Sequence, residues 1–276
     1  MNTSILLIII LYFSGAFARD CGRLGTNKDY SFVPKRELDD CLAVVGQNPI
    51  DKSIAENIWR AIKNAYGEVE DIPLYVYKNM GWILSGISLD DLRNMTIDQG
   101  ELIGIFGSAE SLNDDQMDVI AQKVKSDWAG KTPDKYSEYD LEILGKILCY
   151  FNQSEILQIH PDAYRSKAEI IGKLNSCPHE IIESFAKLAV QTNAFGPPST
   201  WSKLDISEIG VVIAGLSEKE YNSIKLENLT QNKRLYNQVI NSRYPDANST
   251  KPIQYSRVNT TKSAVSSSYL KRKEAV

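Results

Sequence analysis

Residues 201–224 read WSKLDISEIGVVIAGLSEKEYNSI, and the same order of residue classes occurs at 136–159, YSEYDLEILGKILCYFNQSEILQI, and at 72–95, IPLYVYKNMGWILSGISLDDLRNM. The copies start 64 and 65 residues apart, so the middle of the chain is an internal repeat. Seven columns are apolar in all three copies: Tyr77, Leu141 and Ile206; Met80, Leu144 and Ile209; Ile83, Ile147 and Val212; Leu84, Leu148 and Ile213; Ile87, Phe151 and Leu216; Leu92, Ile156 and Tyr221; Met95, Ile159 and Ile224. Steps of three and four residues keep side chains on one face of an α-helix. The first five columns therefore predict one helix and the last two a second.

Between the two helices stand Ser88, Asn152 and Ser217, each followed three residues later by Asp91, Glu155 or Glu220. That spacing is a capping box, in which the first side chain accepts from a free N–H of the first turn and the acid reaches back. Ser137 with Asp140 and Ser202 with Asp205 repeat the pattern at the start of the first helix. Asp90-Asp91 and Asp114-Asp115 fall at helix N-termini, where acids stabilise the helix dipole, so these pairs read as structural and not catalytic. Gly81, Gly145 and Gly210 recur inside the first helix, where glycine costs about 1 kcal/mol relative to alanine. A cost repeated in every copy implies a close approach by a neighbouring backbone. Segments 96–128 and 160–193 also read as helices, with a weaker echo at 48–67. The expectation is an all-α protein, an α-solenoid of about three and a half stacked units.

The chain has 276 residues, 43% apolar and 24% charged, an ordinary globular composition that excludes collagen-like, fully disordered and polytopic membrane classes. Only His160 and His179 are present, and none of HExxH, GxSxG, GxxxxGK[ST] or GxGxxG occurs, so no catalytic residue, cofactor site or metal site is assigned. Trp59, Trp82 and Trp201 lie in helical patterns and read as core rather than as a sugar-stacking platform.

Residues 1–18, MNTSILLIIILYFSGAFA, join an apolar run to Ala16-Phe17-Ala18, the pattern of a cleavable secretory signal. The organisation expected is a signal at 1–18, a helical-repeat domain at 19–244 and a disordered, basic, Ser/Thr-rich tail at 245–276. In an oxidising compartment cysteines pair, and four allow three connectivities. Loops of moderate length favour Cys21 with Cys41 and Cys149 with Cys177; zinc is the rival reading, without ligand spacing to support it. Five sequons, at Asn94, Asn152, Asn228, Asn248 and Asn259, make a glycosylated surface. From Lys225 onward ten Lys or Arg face three acids, leaving −11 on residues 1–224. No segment after the signal reads as a membrane span or a glycolipid-attachment signal, so membrane association is expected to be indirect.

The stretch AFGPPSTW at 194–201, running into SKLDISEIGVVIAGLSEKEYNSI, resembles the mesothelin, stereocilin and otoancorin family: a Gly-Pro-Pro turn, a Trp-Ser helix start, an acidic-apolar helix and a Gly-Leu-Ser cap. GWILSGISLDDLRNM and LGKILCYFNQSEILQI look like weaker instances of the unit, and the likeness covers roughly 72–244. The resemblance implies a non-enzymatic extracellular repeat protein that mediates cell–cell or cell–matrix adhesion by binding an extracellular or cell-surface glycoprotein. Nucleic acid is not an expected partner. A soluble ligand or carrier is the alternative, and a glycosidase using paired carboxylates the remaining one.

Overall fold

The computed structural model describes Cys21 and residues 33–244; the expected signal at 1–18 and tail at 245–276 lie outside the described residues. Among these residues every regular element is helical. The chain divides into two compact units, Met1–Gly130 and Lys131–Val276.

In the first unit, α1 (Lys35–Val45) and α2 (Lys52–Tyr66) precede the first repeat copy, which is α3 (Leu74–Met80), a 3-10 segment (Gly81–Gly86) and α4 (Leu89–Asn94). Then come α5 (Gly100–Ser108) and α6 (Asp114–Asp127). The second unit opens on the second copy: α7 (Glu138–Leu144), a 3-10 segment (Gly145–Tyr150) and α8 (Gln153–Ile156). After α9 (Pro161–Ile171) and α10 (His179–Ala189) the third copy follows as α11 (Lys203–Ile209), a 3-10 segment (Gly210–Gly215) and α12 (Glu218–Ser223). The short α13 (Leu226–Thr230) and α14 (Lys233–Arg243) close the described chain. A pair of helices thus alternates with the same three-part copy along the sequence.

All residues of the seven apolar columns are buried, the most exposed being Phe151 and Leu216 at 4%. Burying one such side chain is worth about 1.5–3 kcal/mol, so the columns supply much of the core. Their helix is not continuous, however. Sequence spacing predicts one helix through the first five columns, whereas the chain leaves the α conformation at Gly81, Gly145 and Gly210, with φ of 49°, 45° and 58°, and continues as a 3-10 segment. The physical reason is a backbone contact. Trp82 N–H donates to the carbonyl of Gly46, the cap of α1, at 2.8 Å, and Val211 N–H donates to Gly172, the cap of α9, at 2.9 Å. A Cβ on Gly81 or Gly210 would come within 3.0 Å of backbone atoms of that opposing glycine. The close approach expected from the glycine repeat is there at Gly81 and Gly210, and it is reached by breaking the helix.

The far end of each outer 3-10 segment is equally tight. A Cβ on Gly86 would meet the backbone of Ala55 and Glu56 in α2 within 3.0 Å, and one on Gly215 that of Ile182 and Glu183 in α10. A second set of glycines, Gly67, Gly130 and Gly196, five or six residues ahead of each copy, also has positive φ and precedes the short 3-10 turn that leads to Ile72, Tyr136 and Trp201. All three of these residues are buried. In the Gly-Pro-Pro stretch, Gly196 O accepts from Trp201 Nε1 at 3.0 Å, and Arg165 Nη1 donates to Ala194 O at 2.6 Å. The turn is fastened by the tryptophan that ends it.

Candidate functional site

Chemistry-bearing side chains collect where each 3-10 segment hands over to the next helix. Ser137, Asn152, Ser202 and Ser217 each form a complete capping box with the acid three residues on. In the first copy Ser88 caps α4, accepting from Asp91 N–H at 3.1 Å, but the Asp91 carboxylate turns elsewhere. It accepts from Trp59 Nε1 at 2.7 Å, Lys63 Nζ at 2.9 Å and Ser88 Oγ at 2.6 Å. Burial alone would raise its pKa; the hydrogen bonds from Ser88, Trp59 and Lys63 and the lysine charge outweigh it and hold the carboxyl below the usual range. An acid kept ionised with its lone pairs occupied is a poor proton donor at neutral pH.

Asp91, Trp59, Arg60, Lys63 and Gln116 line an open groove of about 320 Å³ in the first unit. A second groove, about 480 Å³, runs past Trp82 and Ser111. Trp59 and Trp201 are buried, as their patterns require, while Trp82 is half-buried at this second groove. In the second unit a groove of about 670 Å³ passes Cys149, Asn152 and Pro178. Asp140 repeats the logic of Asp91: burial is outweighed by Lys131 and Ser137, which lower its pKa, with Lys131 Nζ at 2.7 Å. Shifted carboxyls elsewhere, on Asp127, Asp134, Glu169 and Glu218, also move down. None of these is the raised acid that glycoside hydrolysis needs. Among the described residues no cluster of three or more His, Cys, Asp or Glu is arranged to hold a metal ion, and no helix is long and apolar enough to cross a membrane.

Cys21 is bonded to Cys41 and Cys149 to Cys177. Asn94 is exposed as the last residue of α4, and Asn152 is exposed while its Oδ1 accepts from Glu155 N–H at 2.9 Å. Asn228 is half-buried, and its Nδ2 donates to Trp201 O at 3.0 Å. Asn248 and Asn259 lie outside the described residues. One device escaped the sequence reading. Gln116 Nε2 donates to Ser85 O and Ile87 O at 3.2 and 2.8 Å, and Arg243 Nη1 to the equivalent Ala214 O and Leu216 O at 3.0 and 2.6 Å. Both close the carbonyl end of a 3-10 segment. The capping pair Asn113-Gln116 was the available signal for the first; glutamine and arginine share no class in an alignment, which hid the equivalence.

A stretch of 184 residues, 66% of this chain, aligns with 10% of stereocilin from Homo sapiens at 21% identity. For otoancorin from Mus musculus the figures are 174 residues, 62% of this chain, 15% of that protein and 24% identity. The chain resembles stereocilin and otoancorin. A putative stereocilin-like protein from Homo sapiens matches over 140 residues at 24% identity, covering 50% of this chain and 8% of that one. No family model matches. The chain therefore spans between 8% and 15% of the length of these curated relatives. The stereocilin and otoancorin matches are each longer than two of the 64-residue repeats, and so extend beyond one motif.

Proposed function

We propose that this chain is a secreted glycoprotein that mediates cell–cell or cell–matrix adhesion through the outer surface of stacked helical repeats. The observation that carries the reading is the recurrence of one buried-column, three-part copy in a chain similar to stereocilin and otoancorin. Repeats of this kind offer broad surfaces rather than deep pockets, and the grooves described are open and mixed in polarity. Two disulfides suit an oxidising exterior, and the exposed Asn94 and Asn152 are its sites for glycans. The partner is an extracellular or cell-surface glycoprotein, and membrane association is indirect.

Expression in cultured cells, with medium separated from membranes, tests the location; the protein should be recovered from the medium. Purified protein should then bind to fixed cells or deposited matrix in a saturable manner. Binding through a broad face should survive loss of any single acid, whereas an enzyme would collapse when one carboxylate of a pair is removed. Failure to bind any cell or matrix surface would overturn the adhesive reading.

A further inference from the structure

Three helices of the first unit bring two phenols to one carboxylate. Asp39 stands in α1, Tyr66 is the last residue of α2 and Tyr75 the second of α3. Tyr66 Oη donates to Asp39 Oδ1. A phenol has one proton to give, so the Tyr75 proton is left to bridge the other two oxygens, with Tyr66 Oη at 2.9 Å and Asp39 Oδ1 at 3.1 Å. Lys35 Nζ lies 4.1 Å from the centre of the Tyr66 ring, an attraction that holds the ring in place. Tyr75 is 46% exposed. Its equivalent in the second copy, Tyr139, is more exposed, at 60%, yet no described residue hydrogen-bonds its hydroxyl, and the third copy has Leu204 there. The phenol pair therefore belongs to the first copy and not to the repeat.

We propose that Tyr66 and Tyr75 form a cross-linking site: a haem peroxidase, with hydrogen peroxide as oxidant, joins their rings through an ortho carbon of each. Each phenol loses one electron to the enzyme and one proton, leaving a phenoxyl radical whose unpaired spin is shared with its ortho carbons. The two radicals pair in one carbon–carbon bond; each ortho hydrogen then leaves as a proton and a proton returns to each oxygen, restoring both phenols. The peroxide takes up the two electrons and two protons and becomes two waters, so the protein loses two hydrogen atoms in all. Burial, with the hydrogen bonds to Asp39 and Tyr75, pushes the Tyr66 hydroxyl well above its usual pKa, which closes a route through the free phenolate. The proton has to leave with the electron, and the exposed Asp39 carboxylate, already an acceptor for both phenols, takes it and passes it to water. Oxygens held in contact make the coupling an intramolecular step. Each ortho carbon is bonded to the carbon that carries the oxygen, so rotation about the side-chain torsions brings the two together. The bridge ties the end of α2 to the start of α3. Its occurrence in life rests on the secreted reading, which brings the chain to peroxide and peroxidase outside the cell, while the reactivity belongs to the folded chain itself.

The test treats the purified full-length protein, disulfides intact, with a haem peroxidase and limiting hydrogen peroxide, isolates the monomer and maps its peptides. The expected product is a single bridge between the peptides of Tyr66 and Tyr75, with dityrosine fluorescence in the monomer and a mass lower by two hydrogens. Tyr66→Phe and Tyr75→Phe should each abolish the fluorescence of the monomer, and Tyr139→Phe should leave it unchanged. Asp39→Asn should slow bridge formation about tenfold, less than loss of an enclosed base because water takes over part of the role. Thermal melts should show all four variants folded. Bridges distributed by exposure, with Tyr139 ahead of Tyr75, would overturn the proposal, as would fluorescence confined to covalent dimers or an Asp39→Asn rate equal to wild type. Absence of the protein from the medium of expressing cells would sink the secreted reading and leave this peptide map as it is.

Discussion

Replacing Gly210 by alanine tests the reason for the helix break. At φ 58° and ψ −133° the residue sits where a side chain is strained, at about 1–3 kcal/mol. Its new Cβ would fall within 3.0 Å of Gly172 backbone atoms, and overpacking against backbone, which cannot swing aside, adds about 1–3 kcal/mol. Moving the chains apart also lengthens the Val211 N–H to Gly172 O bond, now 2.9 Å, for about 1 kcal/mol more. The expected loss is about 4 kcal/mol, or about 15 °C in the transition of a unit this size. Gly196→Ala is the control. Gly196 also has positive φ, 69°, but nothing lies within 4 Å of its Cβ position, so it should lose only the strain, about 1 kcal/mol. Calorimetry of the full chain compares the two. Equal losses would show that the Gly172 contact yields freely and that the backbone approach does not dictate the break.

Asp91→Asn should destabilise the first unit by about 2 kcal/mol at neutral pH, because Lys63 loses its charged partner. The folded pKa of Asp91 is depressed, so its contribution is present above the unfolded value of about 3.9 and is lost as pH falls through the folded one; the gap between wild type and variant in urea melts should therefore close below about pH 4. Removing the Cys149–Cys177 bond with a double serine variant opens a loop of sequence separation 28 and should lower stability by about 3–4 kcal/mol. Asn152→Ala should lose about 1 kcal/mol from the α8 cap whether or not glycans are removed enzymatically. Asn228→Ala should lose a similar amount through its bond to Trp201 O, while Asn94→Ala, exposed at a helix end, should melt like wild type.

The apolar columns were legible because burial leaves a periodic trace: every residue from Tyr77 to Ile224 assigned to them is buried. The capping boxes were legible because a hydroxyl or amide and an acid at fixed spacing have few other uses. The broken helix was not. Its residues keep a helix-like spacing through the 3-10 segments, and only the partner glycines, Gly46 and Gly172, some 35 to 38 positions earlier, show why Gly81 and Gly210 turn. Asp91 was read correctly as a helix-start acid, yet its tie to Trp59 and Lys63 depends on α2 lying alongside, a tertiary fact with no local signature. The carbonyls that Gln116 and Arg243 reach stayed hidden for the same reason, since the Asn113-Gln116 capping pair marks a helix start and not the segment packed against it.

The two disulfides also set how the protein would lengthen under tension. A chain anchored at one end and loaded at the other gives up about 3.4 Å of contour per residue released. Cys21–Cys41 and Cys149–Cys177 withhold sequence separations of 20 and 28 residues from that extension, roughly 70 and 95 Å. An oxidised molecule therefore has a shorter maximum length than a reduced one by about 160 Å, a difference that stretching single molecules with and without a reductant would read directly.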